Sequence, residues 1–189
     1  MLVLDASVIL NLLGTGRPQF LLAHFPLRAL APMSVIEEIK REPDVPVNKD
    51  AGLIDLINCG LVTVLNSNSE ADDLALALAG GPSPDDLDDG EAYAIAYAVT
   101  LGAAIAIDER KGRRIISQQW PDLTCMFTLD VIEKAIASAR LTDGDRSAII
   151  FSALRHSRMR VPANRRADII RLIGKDRART CTSLGSVAD

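Results

Sequence analysis

Leu2-Val-Leu-Asp5-Ala-Ser7 joins a short apolar run to an acid and a hydroxyl. Consecutive apolar residues ahead of a helix start read as a strand buried on both faces. The pattern returns at Ala103-Ala-Ile-Ala-Ile-Asp108, another apolar run ended by an acid. Three further stretches, Arg28–Ala31, Leu61–Leu65 and Thr124–Phe127, complete a set of five strands. Helical patterns separate them. The alternation predicts a three-layer α/β/α sandwich around a five-stranded, mostly parallel sheet. Sites in such sheets form beyond the carboxyl ends of the strands. As the first polar residues after their strands, Asp5 and Asp108 belong on that edge.

Helices are expected over residues 8–13 and 18–25, from Ser34 to about Glu42, and over Asp50–Cys59, Ser69–Ala79, Glu91–Leu101 and Lys111–Gln119. Pro43 and Pro46 should end the third of these, and Gly80-Gly-Pro-Ser-Pro84 reads as the main loop. Beyond Leu129 only helices are expected, over Asp130–Ala139, Asp143–Ser157 and Ala163–Ile173. The domain reading is an α/β domain over residues 1–138, a helical extension over 139–174 and a disordered tail over 175–189.

At 48% apolar residues, the chain of 189 residues can bury a core and is not expected to be disordered over most of its length. It holds no apolar run long enough to cross a membrane. No cationic segment or cleavage site precedes Leu2, so a secretory signal is not expected. Cys59, Cys125 and Cys181 are odd in number and far apart, which suits reduced thiols in the cytoplasm. The net charge of −4 is unevenly spread. Residues 1–109 hold 5 Lys/Arg against 17 Asp/Glu, and residues 110–189 hold 16 against 8. An acidic half able to hold a cation is thus joined to a basic half able to meet phosphates.

Acids in four segments could build one site: Asp5, the pair Glu37 and Glu38, Glu91, and Asp108. Each has an ordinary explanation by itself. Asp5 can cap the first helix. Glu37 and Glu38 both border the buried stripe of Val35, Ile36 and Ile39, and a helix-surface Glu is usually solvated. Glu91 in a first turn complements the helix dipole. Asp108 opens a run of mixed charge that could be a solvated loop. Taken together they suit a hard cation bound through oxygen, Mg²⁺ or Mn²⁺, with Ser7, Asp88 and Glu109 as candidates for support. Asp85, Asp86 and Asp89 read as loop solvation and capping. His24 and His156 stand apart from the acids, which disfavours zinc. Arg110, Lys111, Arg113 and Arg114 follow Asp108 directly and could steer a phosphate backbone. Aromatic content of 4% argues against broad base stacking.

The ordered set also resembles a family. Leu-Val-Leu-Asp5-Ala-Ser7-Val-Ile-Leu-Asn, Met33-Ser-Val-Ile-Glu-Glu38-Ile, Gly90-Glu91-Ala-Tyr-Ala-Ile-Ala-Tyr-Ala and Ala104-Ile-Ala-Ile-Asp108-Glu-Arg-Lys-Gly-Arg113 look like the four acidic segments of PIN-domain proteins. Such proteins occur as toxins in VapC-type toxin–antitoxin pairs, and the likeness covers roughly residues 1–138. It implies an Mg²⁺- or Mn²⁺-dependent ribonuclease with Asp5, Glu38, Glu91 and Asp108 as metal ligands, an RNA substrate and an antitoxin partner. Within the adjacent pair it prefers Glu38 to Glu37. Glu91 stands where many of the toxins have Asp, and no hydroxyl residue precedes Asp108. The Gly90-Glu91 form and the Asp108-x-Arg-x-Gly-Arg113 form resemble a less characterised branch. A homodimer is expected from the resemblance and from Leu12, Leu13, Phe20, Leu21 and Leu22, more apolar than one core-facing stripe needs. Two rival classes are weighed. An Asp-dependent phosphatase usually needs a second Asp two residues after the first, where Ser7 stands. A non-enzymatic interaction or RNA-binding protein would keep the fold without turnover.

Overall fold

A computed structural model describes residues 1–41, 49–80, 87–157 and 159–185. The chain runs β1 (Leu2–Leu4), α1 (Ala6–Gly14), α2 (Pro18–His24), β2 (Ala29–Pro32), α3 (Met33–Arg41), α4 (Lys49–Asn58), β3 (Val62–Leu65), α5 (Ser69–Ala79) and α6 (Asp89–Thr100). It continues with β4 (Ala104–Ala106), α7 (Arg110–Gln119), β5 (Cys125–Met126), α8 (Thr128–Ala139), α9 (Asp143–His156), α10 (Arg166–Ile173) and α11 (Lys175–Arg179). Pro43, Pro46, Asp85, Asp86 and the main loop beyond Gly80 lie outside the described residues.

The five strands form one sheet in the order β3-β2-β1-β4-β5, and every pairing is parallel. A parallel sheet is covered on both faces, which explains the uninterrupted apolar run in β1. Leu2, Val3 and Leu4 are all fully buried. β1 and β4 are neighbours in register, Leu4 opposite Ala106, and the Asp5 N–H donates to the Ala106 carbonyl at 3.1 Å. The acids that end these two strands therefore emerge side by side.

α6 lies against β1, β2 and β4, with α5 and α7 beside it. Ala92, Ala94, Ala96 and Ala98 are buried along it, and small side chains let a helix approach its neighbours closely. The α1 layer is covered in turn by α4, α8 and α9, and α2 packs on α8. α3 touches both α1 and α6 and so spans the two layers.

The expected apolar surplus on the first two helices is corrected. Leu12, Leu21 and Leu22 are buried, and Leu13 and Phe20 pack against the same core. The apolar surplus of the first two helices is thus taken up by the chain's own later helices. The contact is close. A Cβ on Gly14 would fall 1.6 Å from Ser157 Oγ, and the Ser152 hydroxyl donates to the Gly14 carbonyl at 2.9 Å. Of the segment expected to be a disordered tail, the structure describes residues 175–185. α11 and a 3-10 turn over Thr182–Leu184 bury Ala178, Cys181 and Leu184, and Arg177 stacks over Phe151.

Candidate metal centre

Asp5 follows β1 directly and also caps α1. Its Oδ2 accepts from the Ser7 hydroxyl at 2.5 Å and from the Ser7 N–H at 3.3 Å. The side chain is buried. Burial pushes its pKa up to about 6, against the Ser7 and Ala6 hydrogen bonds and with the charges of Asp88 and Asp108 adding to the rise. Glu91 sits in the first turn of α6, where its N–H donates to Asp88 Oδ1 at 2.8 Å. It is 7% exposed. Burial lifts its pKa to about 8, helped by Asp88, Asp5 and Glu109 and opposed by Lys111.

Glu37 and Glu38 part company on α3. Glu37 is exposed and pairs with Arg41 at 3.5 Å. Glu38 reaches α6, where a Cβ on Gly90 would fall 1.7 Å from its Oε2. The bare glycine backbone is what gives that carboxylate its place. A cavity of about 390 Å³ results, lined by Asp5, Ser7, Glu38, Asp88, Glu91, Glu109 and Lys111. Glu109 also pairs with Arg160 at 2.6 Å, so the segment after α9 reaches the rim of the cavity.

Asp108 does not line the cavity. It is buried behind it, with Oδ2 accepting from Asn11 Nδ2 at 2.8 Å and Thr128 Oγ1 at 2.6 Å, and Oδ1 from the Thr128 N–H at 2.8 Å. Burial raises its pKa, opposed by those bonds and by Arg113. The sequence carries one signal of this arrangement. Asn11 interrupts the apolar helix Val8-Ile-Leu-Asn11-Leu-Leu, and a polar side chain buried there needs a partner.

The basic run divides as well. Lys111 is on the cavity, and Arg110 and Arg114 are exposed on α7. Arg113 is turned inward. It donates to the carbonyls of Ile107 and Met126 at 2.9 Å and of Cys125 at 3.4 Å, and it stacks 3.4 Å over the Phe127 ring. Arg113 thereby ties the ends of β4 and β5 together.

Among the described residues no three His, Cys, Asp or Glu side chains form a group that could hold a metal ion by themselves. The cavity acids still suit a hydrated hard cation. All their donors are oxygens, and burial and mutual repulsion drive Asp5 and Glu91 to take up protons. Mg²⁺ binds through one or two carboxylates and keeps several waters, so a roomy acidic cavity fits it better than it fits zinc.

No curated protein and no solved structure matches the chain. A family model described as a PIN domain matches residues 1–175. PIN domains are generally nucleases and typically use divalent metal ions. With the five-stranded parallel sheet flanked by helices, a match over nearly the whole length places this chain in the PIN-domain family.

Proposed function

We propose that the protein is an Mg²⁺- or Mn²⁺-dependent ribonuclease that hydrolyses RNA phosphodiesters at the cavity beside Asp5. The observation that carries this reading is the gathering of Asp5, Glu38 and Glu91 from three separate elements around one cavity. Like charges brought together at the cost of burial need a reason, and a cation supplies one. When bound, such a cation would lower the pKa of a water and offset charge on the phosphoryl group. Asp5, Glu38 and Glu91 would hold it, with Asp88 and Glu109 in reach through water. Ser7 fixes the rotamer of Asp5. Asp108, secured by Asn11 and Thr128, holds the ends of β4 and α8 in place behind the ligands and adds negative charge to the site. Lys111 stands where it can draw a phosphate to the acids. The resemblance to VapC-type toxins supports a role as the toxin of a pair, with an antitoxin protein as partner.

A second reading, an RNA-binding protein without turnover, is favoured by the lack of a ready-made three-residue metal group among the described residues. One experiment separates the two. Labelled RNA is incubated with Mg²⁺ or Mn²⁺ and either the unaltered chain or Asp5→Asn. Asn keeps the helix cap and removes one charge. Metal-dependent cleavage should vanish in the variant, whose metal-free fold should be as stable as the original or more so. Asp108→Asn should instead lose about 1–3 kcal/mol of stability, because it sets an amide against buried donors. RNA binding without cleavage in the unaltered chain selects the second reading. Turnover of a small phosphomonoester selects a phosphatase.

A further inference from the structure

A second cavity, of about 550 Å³, runs along α7 and differs in chemistry from the acid cavity. Its lining includes Arg110, Arg113, Arg114, Ser117, Trp120 and Phe127, and it contains no carboxylate. Three arginines and two aromatic rings gather there in a chain with net charge −4, 4% aromatic residues and a single Trp. α7 gives the reason. Gly112, Ile115 and Ile116 face the core, which leaves Arg110 and Arg114 on the outer side. Trp120 ends the helix, half-buried against the core. The two cavities draw on consecutive residues at the start of this helix. Glu109 and Lys111 line the acid cavity, while Arg110 between them lines the arginine cavity.

Positive charge beside ring faces is the physical complement of single-stranded nucleic acid, which offers phosphates and stackable bases in alternation. Double-stranded nucleic acid hides its bases, and an acidic protein offers charge without stacking. Resting on the nuclease reading above, we infer that the arginine–tryptophan cavity is a subsite for the single strand that enters the acid cavity. Arg110 and Arg114 take its phosphates and Trp120 stacks on one of its bases. Arg113, fixed over Phe127, forms the inner wall and adds charge.

Trp120 is the only tryptophan, so its emission reports the end of α7, where it lines this cavity and, on its other side, one of about 410 Å³ beside Asp122; loss of quenching in the arginine variant below assigns the signal to this cavity. A short single-stranded RNA is titrated into the full chain in EDTA, with binding followed by anisotropy and Trp120 by fluorescence. Binding should quench the emission, and added salt should reverse both signals. Inorganic polyphosphate should bind without comparable quenching. Arg110→Ala with Arg114→Ala, at exposed positions, should weaken RNA binding at least about tenfold and remove the quenching. Trp120→Ala should cost about fivefold to 150-fold in affinity, and Trp120→Phe much less, with folding of both checked by circular dichroism. RNA that binds with Trp120 emission unmoved, equal quenching by polyphosphate, or a polyglutamate peptide that binds as tightly as RNA would each overturn the subsite. Cleavage is scored on the same preparations. Cleavage without quenching sinks the subsite and leaves the nuclease reading, and quenching without cleavage does the reverse.

Discussion

Gly90 shows how one missing side-chain atom can shape the site. Glu38 comes from α3 and Glu91 from α6, and the two acids meet because the Glu38 carboxylate occupies the space a Cβ on Gly90 would fill. Gly90→Ala should therefore be nearly silent for stability, since Ala is the better helix former and a flexible carboxylate can step aside. The same step takes Glu38 from its place. Metal affinity should fall about tenfold or more, as when a partner that orients a ligand is lost. Calorimetric titration with Mn²⁺ beside a thermal melt checks both halves. Unchanged affinity would show that Glu38 holds no metal. The adjacent pair Glu37 and Glu38 could not be told apart by periodicity, because both border the stripe of Val35, Ile36 and Ile39. A contact with another helix decides between them, and such a contact is not written in the local pattern.

Among the elements, α7 is where a uniform-looking charge run splits by direction. Arg110, Lys111, Arg113 and Arg114 read alike in the sequence, yet helical geometry sends Arg113 inward to three carbonyls and the Phe127 ring. β5 is a two-residue edge strand, and a guanidinium fork bonded to its carbonyls supplies what so short a ladder lacks. Arg113→Ala should destabilise the protein by about 2 kcal/mol, the scale of lost charge-assisted hydrogen bonds and a cation–π contact. Arg113→Lys should recover little, because a point charge cannot bond several carbonyls at once. Urea denaturation gives the stability. Loss of RNA affinity in Arg113→Ala with stability unchanged would reverse this assignment. The other elements were largely legible, since Ser69–Ala79 and the alternation of strands and helices follow from caps, glycines and apolar period.

For the whole molecule, the acid cavity sets a pH dependence. A carboxylic acid whose folded pKa lies above its unfolded value stabilises the fold fully below its ordinary pKa, and that contribution is lost as pH rises through the folded value. Asp5, raised to about 6, and Glu91, raised to about 8, both act in this sense. The metal-free melting temperature should fall as pH rises from about 5 to about 9, and Glu91→Gln should flatten the upper part of the fall. Saturating Mg²⁺ or Mn²⁺ should offset it, since a cation that binds only the folded state stabilises it. Glu133 works in the opposite direction. Burial would raise its pKa, but bonds from Arg165 and Arg146 win and lower it. Its contribution is therefore lost only as pH falls below the ordinary carboxylate range. Thermal melts in EDTA across pH test the difference, and a flat profile would deny that burial and neighbouring charge raise the Asp5 and Glu91 pKa values. The sequence by itself determined the parallel α/β sheet and the emergence of Asp5 and Asp108 at its carboxyl edge, because strand burial and helix period are local properties of apolar spacing. Only the tertiary structure decided that Asp108 is enclosed by Asn11 and Thr128 while Glu38 enters the cavity. It also decided that α8 and α9 cover the apolar surplus of the first two helices. Those outcomes depend on contacts between residues as many as 138 positions apart, which local propensity does not encode.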